Sequence, residues 1–404
     1  MTLKAIKRPT REEYIEILLS KSKFNRVTET VSLSESVGRV TSKEIYSLNT
    51  LPNEPTSGMD GIAVKFKDIT SENMDTSKWK LGQEYVYCNT GVSMPKGYDT
   101  AIPIEVVSFN EKGEIEIKML PKIKGDKVTP KGNVMEEGEL LMPSDYLITP
   151  YQLGVLASGG VKYIEVFSKP KVAVIPTGDE LISAGIPLPL GKNIETNSIV
   201  LKALIEEWGG EPLIYPIIPD DPKQLLNVLN QAVDEADIVI FNAGSSKGEH
   251  DYTMKVLDEA GEIIVEEVLH APGKPTSLAI SNGKPILGIV GPPLGAELTV
   301  RWFVEPIINH YLNQPISKPQ ILEVELLEEA ISPIPMDFYA QMIIERKDGK
   351  YIGRQVLSKT QKSSRVKLAI QSNAVLNIPK GTSYKPGDKV VVEMKTPPKY
   401  IKEI

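Results

Sequence analysis

The sequence predicts a multidomain protein of class α/β plus β, in which a parallel-sheet domain is flanked by a β-rich N-terminal half and a small C-terminal β-barrel. Three observations carry this expectation. The runs KVAVIP (171–176), DIVIFN (237–242) and KPILGIV (284–290) are compact and apolar and alternate with helical segments, the texture of βαβ units whose strands are buried on both faces. On either side of that block, short apolar runs recur between Gly- and Pro-containing turns, as antiparallel strands do. The length of 404 residues, at ~150 residues per domain, also gives about three domains rather than one core.

In chain order, Thr10 followed by Glu13 reads as a capping box, and Tyr14, Ile17 and Leu18 recur at helical spacing, so an amphipathic helix is expected over about 11–22. From Val31 to about Leu141, the runs VKF, YVYC, AIPIEVVSF and EIEIKML, separated by GY, EKG and KGD turns, predict mostly β structure. Thr149-Pro150 supplies an N-cap and first helical residue for YQLGVLAS, and Gly159-Gly160 supplies its stop. SIVLKALIEEW and PKQLLNVLNQAV are the helical partners of the central strands. Beyond Pro315, ILEVELLE, AQMIIER, AVLNIP and KVVVEM return to β, and ~85 residues suit a small barrel.

Composition narrows the function classes. With 46 basic and 53 acidic residues the net charge is −7, which argues against general nucleic-acid binding. Cys88 is the only cysteine, which excludes an intrachain disulfide, a zinc ribbon or a thiol-pair redox site and fits a reducing compartment. No run of ~18 apolar residues occurs, and the N-terminus lacks a signal-peptide core, so a cytoplasmic protein without membrane association is expected. His250, His270 and His310 are too few and scattered for a multi-histidine metal site, and neither HExxH nor a Ser/His/Asp hydrolase signature accompanies them.

Open α/β sheets bind ligands at the carboxyl ends of their strands, so the loops there are the first candidates. After KVAVIP comes Thr177-Gly178-Asp179-Glu180-Leu181, a tight turn with two carboxylates behind a hydroxyl; it reads equally as a helix N-terminus capped by Thr177. After DIVIFN, the small-residue loop from Ala243 to Thr253 offers backbone amides to a phosphate, and Glu249 and Asp251 suit metal or acid/base work. Pro272-Gly273-Lys274-Pro275 is either a stiff loop presenting a cation to an oxyanion or a rigid surface turn. Asp220-Asp221 caps the helix starting near Pro222 or holds Mg²⁺, with capping the stronger reading for Asp221. In the N-terminal half, the turn-rich segment from Asn53 becomes a strand only at Ile62, with Asp60 at the junction, where an Asx turn is expected.

The segments SGMDGIAV, TGDEL, IPDDP, GSSKGEHDYT and PGKP occur in that order over essentially the whole chain, and together they resemble the molybdopterin molybdenumtransferase family, the MoeA proteins related to the gephyrin E domain. SGMDGIAV is similar to the family's S-A-M-D-G-Y-A-V, and GSSKGEHDYT to its G-V-S-V-G-x-x-D-Y-T. The resemblance implies four domains: a molybdopterin-binding α/β domain (1–26 and 168–316), a linking and dimerisation domain (27–48 and 141–167), an inserted β-rich domain (49–140) and a C-terminal β-barrel (317–404). It implies a homodimer whose active cleft is completed between subunits, and a reaction that inserts molybdate or tungstate into adenylylated molybdopterin with Mg²⁺-dependent release of AMP. On matching positions, Asp60, Glu180 and Asp251 would be the carboxylates at the reacting centre, and Asp220, Asp221, Asp251 and Glu180 the Mg²⁺ ligands. Ser57, Thr177, Asn197, Gly244, Ser246, Gly248, Gly273, Lys274 and Gly291 would grip the substrate.

The chain also departs from the family pattern. The usual G-L-P-G-N-P-V-S reads Gly288-Ile289-Val290-Gly291-Pro292-Pro293-Leu294-Gly295, K-P-G-K-P begins with Ala271, G-E-D reads Gly132-Asn133-Val134, and the aromatic after M-D-G is Ile62. These changes are expected to weaken standard turnover. They leave a second reading, a molybdopterin-binding carrier or scaffold, and a third, a nucleotide pyrophosphatase on the same scaffold.

Overall fold

The structure, a computed structural model, describes residues 8–71, 74–243, 247–356 and 371–404, with the side chains of 243 and 247–252 outside that description. The chain forms two compact units, one from Met1–Val27 with Ser168–Ile404 and one from Thr28–Phe167. Among the described residues no helix is long and apolar enough to cross a membrane.

The larger unit is built on a six-stranded sheet in the order Glu211–Ile214, Lys171–Pro176, Ile238–Ala243, Lys284–Val290, Ser277–Ser281, Glu262–Val265. The first four strands are parallel, as the apolar runs predict, and Lys171–Pro176 and Lys284–Val290 are buried along nearly their whole length. The last two are antiparallel, so the sheet is mixed at that edge. The reversal occurs at Asn282-Gly283, where both residues take positive φ (53° and 81°), the backbone of a two-residue hairpin that Asn-Gly adopts at little cost.

Helices cover both faces. Pro222–Glu235 lays Leu225, Leu229 and Val233 onto Ile175, Val239 and Phe241 of the sheet. Helices Arg11–Lys21 and Asn197–Glu207 pack against Pro293–Tyr311. The expected capping box is present, with Glu13 N–H donating to Thr10 Oγ1 and Thr10 N–H to the Glu13 carboxylate. Fully buried Tyr14 then stacks on Phe303 at 4.1 Å and donates its hydroxyl to the Ser277 carbonyl (3.0 Å), so the N-terminal helix is part of the domain core.

The C-terminal strands close into a five-stranded barrel. Asp337–Lys347 pairs with Lys350–Gln355, which pairs with Ile321–Leu326; Lys389–Met394 and Ala374–Ile378 follow, and the last returns to Asp337–Lys347. Closure removes the unpaired edge, and Val324, Leu326, Met342, Ile344, Leu376 and Val392 fill the interior. Lys350–Gln355 is not evident in the sequence because its run KYIGRQ is polar; Gly353 sits where a Cβ would come within 2.9 Å of Ile344 Cδ1.

In the smaller unit Thr28–Ser32 pairs antiparallel with Tyr163–Phe167, bringing its two ends together. Helix Pro150–Ser158 has the expected cap at Thr149 and ends at Gly159, with Gly160 in the left-handed region at φ 84°. Gly61–Val64 lies between Tyr85–Cys88 and Thr100–Pro103, over a core of Ile62, Val64, Trp79, Ile102 and Ile115. Two β expectations shorten here. VKF ends its strand at Val64 and turns through a 3₁₀ segment at Phe66–Asp68, and AIPIEVVSF is broken by another at Ile104–Val106, after Pro103.

Gly61 is the tightest point of that sheet, since a Cβ there would lie 1.9 Å from the Ile102 carbonyl oxygen, a backbone atom that cannot move aside. Gly61→Ala is expected to destabilise the protein by about 3 kcal/mol, the upper end for overpacking, read as a lower midpoint in a denaturant melt. An unchanged midpoint would show that the strands separate freely there.

Candidate active site

The strand Lys171–Pro176 has Glu211–Ile214 on one side and Ile238–Ala243 on the other, so the chain leaves it in one direction and returns in the opposite one. Such a reversal opens a crevice at the carboxyl ends of the two diverging strands. Register places Pro176 beside Asn242 and Ala243 beside Val290, so Thr177 and Gly291 leave the sheet along the edge at which Ile238–Ala243 ends. The start of Ser277–Ser281 reaches the same edge, because Ser277 pairs with Gly288. Among the described residues, three candidate segments therefore meet at this edge.

Buried Thr177 donates both its N–H (3.0 Å) and its hydroxyl (3.3 Å) to the Asn242 carbonyl, binding the first loop to the root of the second. Gly178 takes φ 145°, and a Cβ on it would stand 2.7 Å from Glu180 Oε2, so only glycine lets the Glu180 carboxylate fold back over the turn. The helix-cap reading of this segment is corrected: Leu181–Ile182 is a short strand parallel to Asn193–Ile194, and the helix begins only at Asn197. Asp179 and Asp220 exchange long hydrogen bonds, each N–H donating to the other's carboxylate at 3.3 Å. Lys192 Nζ donates to the Asp179 carbonyl at 2.6 Å. Asp221 caps its helix by accepting from Gln224 N–H at 2.9 Å, as expected.

Across the crevice, half-buried to buried groups tie the remaining loops together. Asn197 Nδ2 donates to the Gly291 carbonyl at 2.8 Å. The Pro272–Lys274 turn packs on Gly295, where a Cβ would lie 3.5 Å from Gly273 N and 3.6 Å from Pro272 Cβ. Gly273 itself takes φ 99°. Lys274 is not a lone cation: its Nζ lies 3.2 Å from Glu267 Oε2, and Arg8 pairs with the other oxygen of that carboxylate. Burial pushes the Glu267 carboxyl up, but the bonds from Arg8 and Lys274 outweigh it and hold it below its usual range.

In the smaller unit, Asp60 is exposed, and its Oδ1 accepts from Thr90 N–H (2.7 Å) and Thr90 Oγ1 (3.0 Å). Those two bonds hold its carboxyl below the ordinary range and replace the local Asx turn expected there. Ser57, expected to grip substrate, points inward: it is 1% exposed and its hydroxyl donates to the Met59 carbonyl at 2.7 Å and lies 3.4 Å from Cys88 Sγ. It braces the Asp60 loop. Gly244 and Ser246 lie outside the described residues. Gly248 and Asp251 fall within helix Lys247–Ala260, which replaces most of the loop expected from Ala243 to Thr253, and their side chains are not described.

Two participants escape the sequence reading, Lys192, which enters through a loop return, and Asn242. Asp179, one of the two carboxylates of the expected turn, gains a partner that the sequence does not show in Asp220, forty-one positions away. Asn242, buried near the end of the central strand, presents a side-chain Oδ1 without a hydrogen-bond partner among the described residues. Among the described residues no three acidic, histidine or cysteine side chains form a ready metal cluster.

Fold and site together define a multidomain α/β protein whose candidate loops meet at the sheet's reversal, where an acidic turn couples to Asp220, and which is followed by a β-barrel. Residues 10–160 match the family described as the MoeA N-terminal region (domain I and II), and residues 173–310 match a probable molybdopterin binding domain. The molybdopterin molybdenumtransferase of Haemophilus influenzae is 30% identical over 303 residues, covering 72% of this chain and 74% of its own. That of a Nostoc species is 27% identical over 401 residues, covering 94% and 91%. The crystal structure of the molybdopterin biosynthesis moeA protein from Pyrococcus horikosii matches with a TM-score of 0.78 at 27% identity, over 96% of this chain and 100% of that one. The chain belongs to the molybdopterin molybdenumtransferase family.

One departure from the family pattern is testable as packing. A Cβ on Gly295 would come 2.7 Å from Val290 Cγ2, a β-branched side chain with little freedom to turn away. Gly295→Ala is expected to cost about 1 kcal/mol, overpacking outweighing the gain in helix propensity. Combining it with Val290→Ala should recover most of that cost, a coupling of roughly 1 kcal/mol in a double-mutant cycle of denaturant melts. Strict additivity would mean that the two positions are independent.

Proposed function

We propose that this enzyme of molybdenum-cofactor biosynthesis inserts molybdate or tungstate into adenylylated molybdopterin and releases AMP, acting in the cytoplasm. The observation that carries the reading is the acidic turn Thr177–Glu180 at the sheet reversal, coupled to Asp220 and set in a chain matched along nearly its whole length by the family. Cleaving a phosphoanhydride requires that developing negative charge be neutralised and that the attacking oxygen be oriented. Lys274, the backbone donors around Gly273 and Gly291, and the Thr177 and Asn197 side chains suit the first task. Glu180, Asp251 and Asp60 are assigned the second, and Thr90 keeps Asp60 ionised.

The donor set fits Mg²⁺, a hard cation that takes carboxylate oxygens and keeps several waters. Asp179 and Asp220 each use one carboxylate oxygen to bind the other's N–H, which orients the pair side by side. Asp221 is spent on its helix cap. Asp220, with Glu180 and Asp251, is therefore the proposed ligand, and Asp179 joins them. When bound, the ion would neutralise phosphate charge; orientation and exclusion of water remain tasks of the protein.

The four-domain division of the sequence reading is retained, with the unit Thr28–Phe167 comprising the linking and inserted domains. Its helix Pro150–Ser158 supports the homodimer: Tyr151 (91% exposed), Gly154, Val155 and Ser158 line one exposed stripe at helical spacing. An apolar stripe with small residues is what a second copy of the same helix can pack against.

Two measurements test these assignments. Glu180→Gln should lower AMP release by about 10²–10³-fold while affinity for adenylylated molybdopterin changes little, since the carboxylate is needed in the transition state. Asp220→Asn should raise the Mg²⁺ concentration needed for half-maximal turnover, whereas Asp221→Ser, which preserves the cap, should not. Binding of the pterin by the native protein without AMP release, or equal Mg²⁺ dependence in both variants, would overturn the reading. Separately, light scattering of the native protein should give twice the chain mass and that of Tyr151→Glu the single mass; a monomeric native protein would reject the dimer.

A further inference from the structure

His270 is 3% exposed and sits where the barrel joins the α/β domain: His270–Ala271 forms a short strand parallel to Asp337–Phe338 of the barrel. Its ring lies edge-on to Trp302 of helix Pro293–Tyr311 (5.2 Å, 88°) and to Tyr339 of the barrel (5.4 Å, 84°). The two ring nitrogens have different surroundings. Nδ1 is 3.2 Å from the Pro272 carbonyl oxygen, while Nε2 is buried without a hydrogen-bond partner among the described residues.

A carbonyl oxygen only accepts, so the contact is a hydrogen bond only when Nδ1 carries the proton. Nε2 is then a bare acceptor among aromatic rings, which costs stability and persists where the bond made by the other nitrogen is worth more. The ring is held neutral: burial pushes its pKa down to about 4, against a raising influence from the bond to Pro272. Arg11 adds to the depression, and Glu12 and Asp337 oppose it.

The Pro272 carbonyl belongs to the turn that carries Lys274. The far end of that turn is fixed, since Thr276 N–H and Oγ1 both donate to the Gly273 carbonyl (2.9 and 2.7 Å) and Val268 N–H donates to that of Lys274 (2.9 Å). At its near end, the His270 imidazole is the side-chain contact to the Pro272 carbonyl. We infer that His270, in its Nδ1-protonated form and wedged between Trp302 and Tyr339, is a positioning residue that sets the direction of the Pro272–Lys274 turn and so aims the Lys274 ammonium at the anionic substrate. The inference rests on the proposed function in one respect, that this turn lines the substrate crevice.

Two experiments test it. Long-range ¹⁵N correlation of ring nitrogens is tractable with three histidines, and the His270 signals are assigned by their loss in His270→Asn. Protonated Nδ1 with unprotonated Nε2 is expected near neutral pH; the opposite tautomer overturns the inference without any reference to activity. In kinetics of AMP release, His270→Leu should raise KM for adenylylated molybdopterin by about tenfold with kcat nearly unchanged, the scale expected of a misdirected binding group. His270→Asn, whose side-chain amide can donate from nearly the place of Nδ1, should restore most of the loss. An unchanged KM in His270→Leu, or a loss of thermal stability without recovery of KM in His270→Asn, rejects the positioning role. If His270→Leu does not fold, the tautomer and the KM of His270→Asn still decide. A native protein that releases no AMP, yet shows the expected tautomer and a tenfold weaker affinity for the pterin in His270→Leu, would instead reject the proposed reaction and keep the inference.

Discussion

The parallel pairing of Pro176 with Asn242, sealed one residue later by the double donation of Thr177 to the Asn242 carbonyl, is the constraint on which the rest of the site depends. Parallel strands end on the same edge of a sheet, so a short apolar register dictates where loops from distant parts of the chain emerge. The direction reversal around Lys171–Pro176 keeps that edge open instead of covering it with a crossover. Once Thr177 is fixed, the rest of the turn follows from local geometry. Gly178 must be glycine for Glu180 to fold back, and Asp179 then faces Asp220, whose segment follows the neighbouring strand. The hydrogen bonds concerned are individually modest, of order 1 kcal/mol each, but they hold the acidic groups before any substrate arrives.

The anionic substrate proposed for this acidic protein poses an electrostatic problem. The net charge of −7 sets the far field, and the proposal answers it at short range with Lys274. Glu267 holds Lys274 in place at the expense of part of its charge. For partly exposed groups such a pair contributes ~0–1 kcal/mol, and a phosphate carrying more than one charge competes well for the same ammonium. Preorganisation by Glu267 is therefore compatible with release to the substrate. On the other side, the Asp179 and Asp220 carboxylates each accept the other residue's backbone N–H, which fixes the pair to which the proposed Mg²⁺ is assigned.

What was legible in the sequence was local. Thr10 with Glu13, Thr149-Pro150, Gly159-Gly160 and Asp221 before Pro222 each carry a cap within four residues, and each is where the pattern places it. The buried strands were legible because both faces are apolar. What failed depended on partners far away. KYIGRQ is a strand only because the barrel closes through it, and the helix-cap reading of TGDEL gave way because Leu181 finds Asn193 first. For the site, loop position and residue type pointed to Glu180 and Lys274, and the family resemblance alone to Asp60, but neither the thirty-residue link from Asp60 to Thr90 nor the inward turn of Ser57 has a sequence signature.

The departures from the family pattern also look different once packed. Gly295, where the family has Ser, has its Cβ position occupied by Val290, where the family has Pro, and Pro272 stands nearby. The two substitutions are thus complementary in volume, not independent losses. Ala271, where the family has Lys, is a buried strand residue beside Phe338 of the barrel, a place in which an ammonium would need a partner. Yet the neighbourhood keeps two cations, because Arg8 and Lys274 share the Glu267 carboxylate, and their sum with it remains positive. The positive charge beside this turn is thus supplied by Arg8 and Lys274 together, while Ala271 packs as an apolar residue against the barrel.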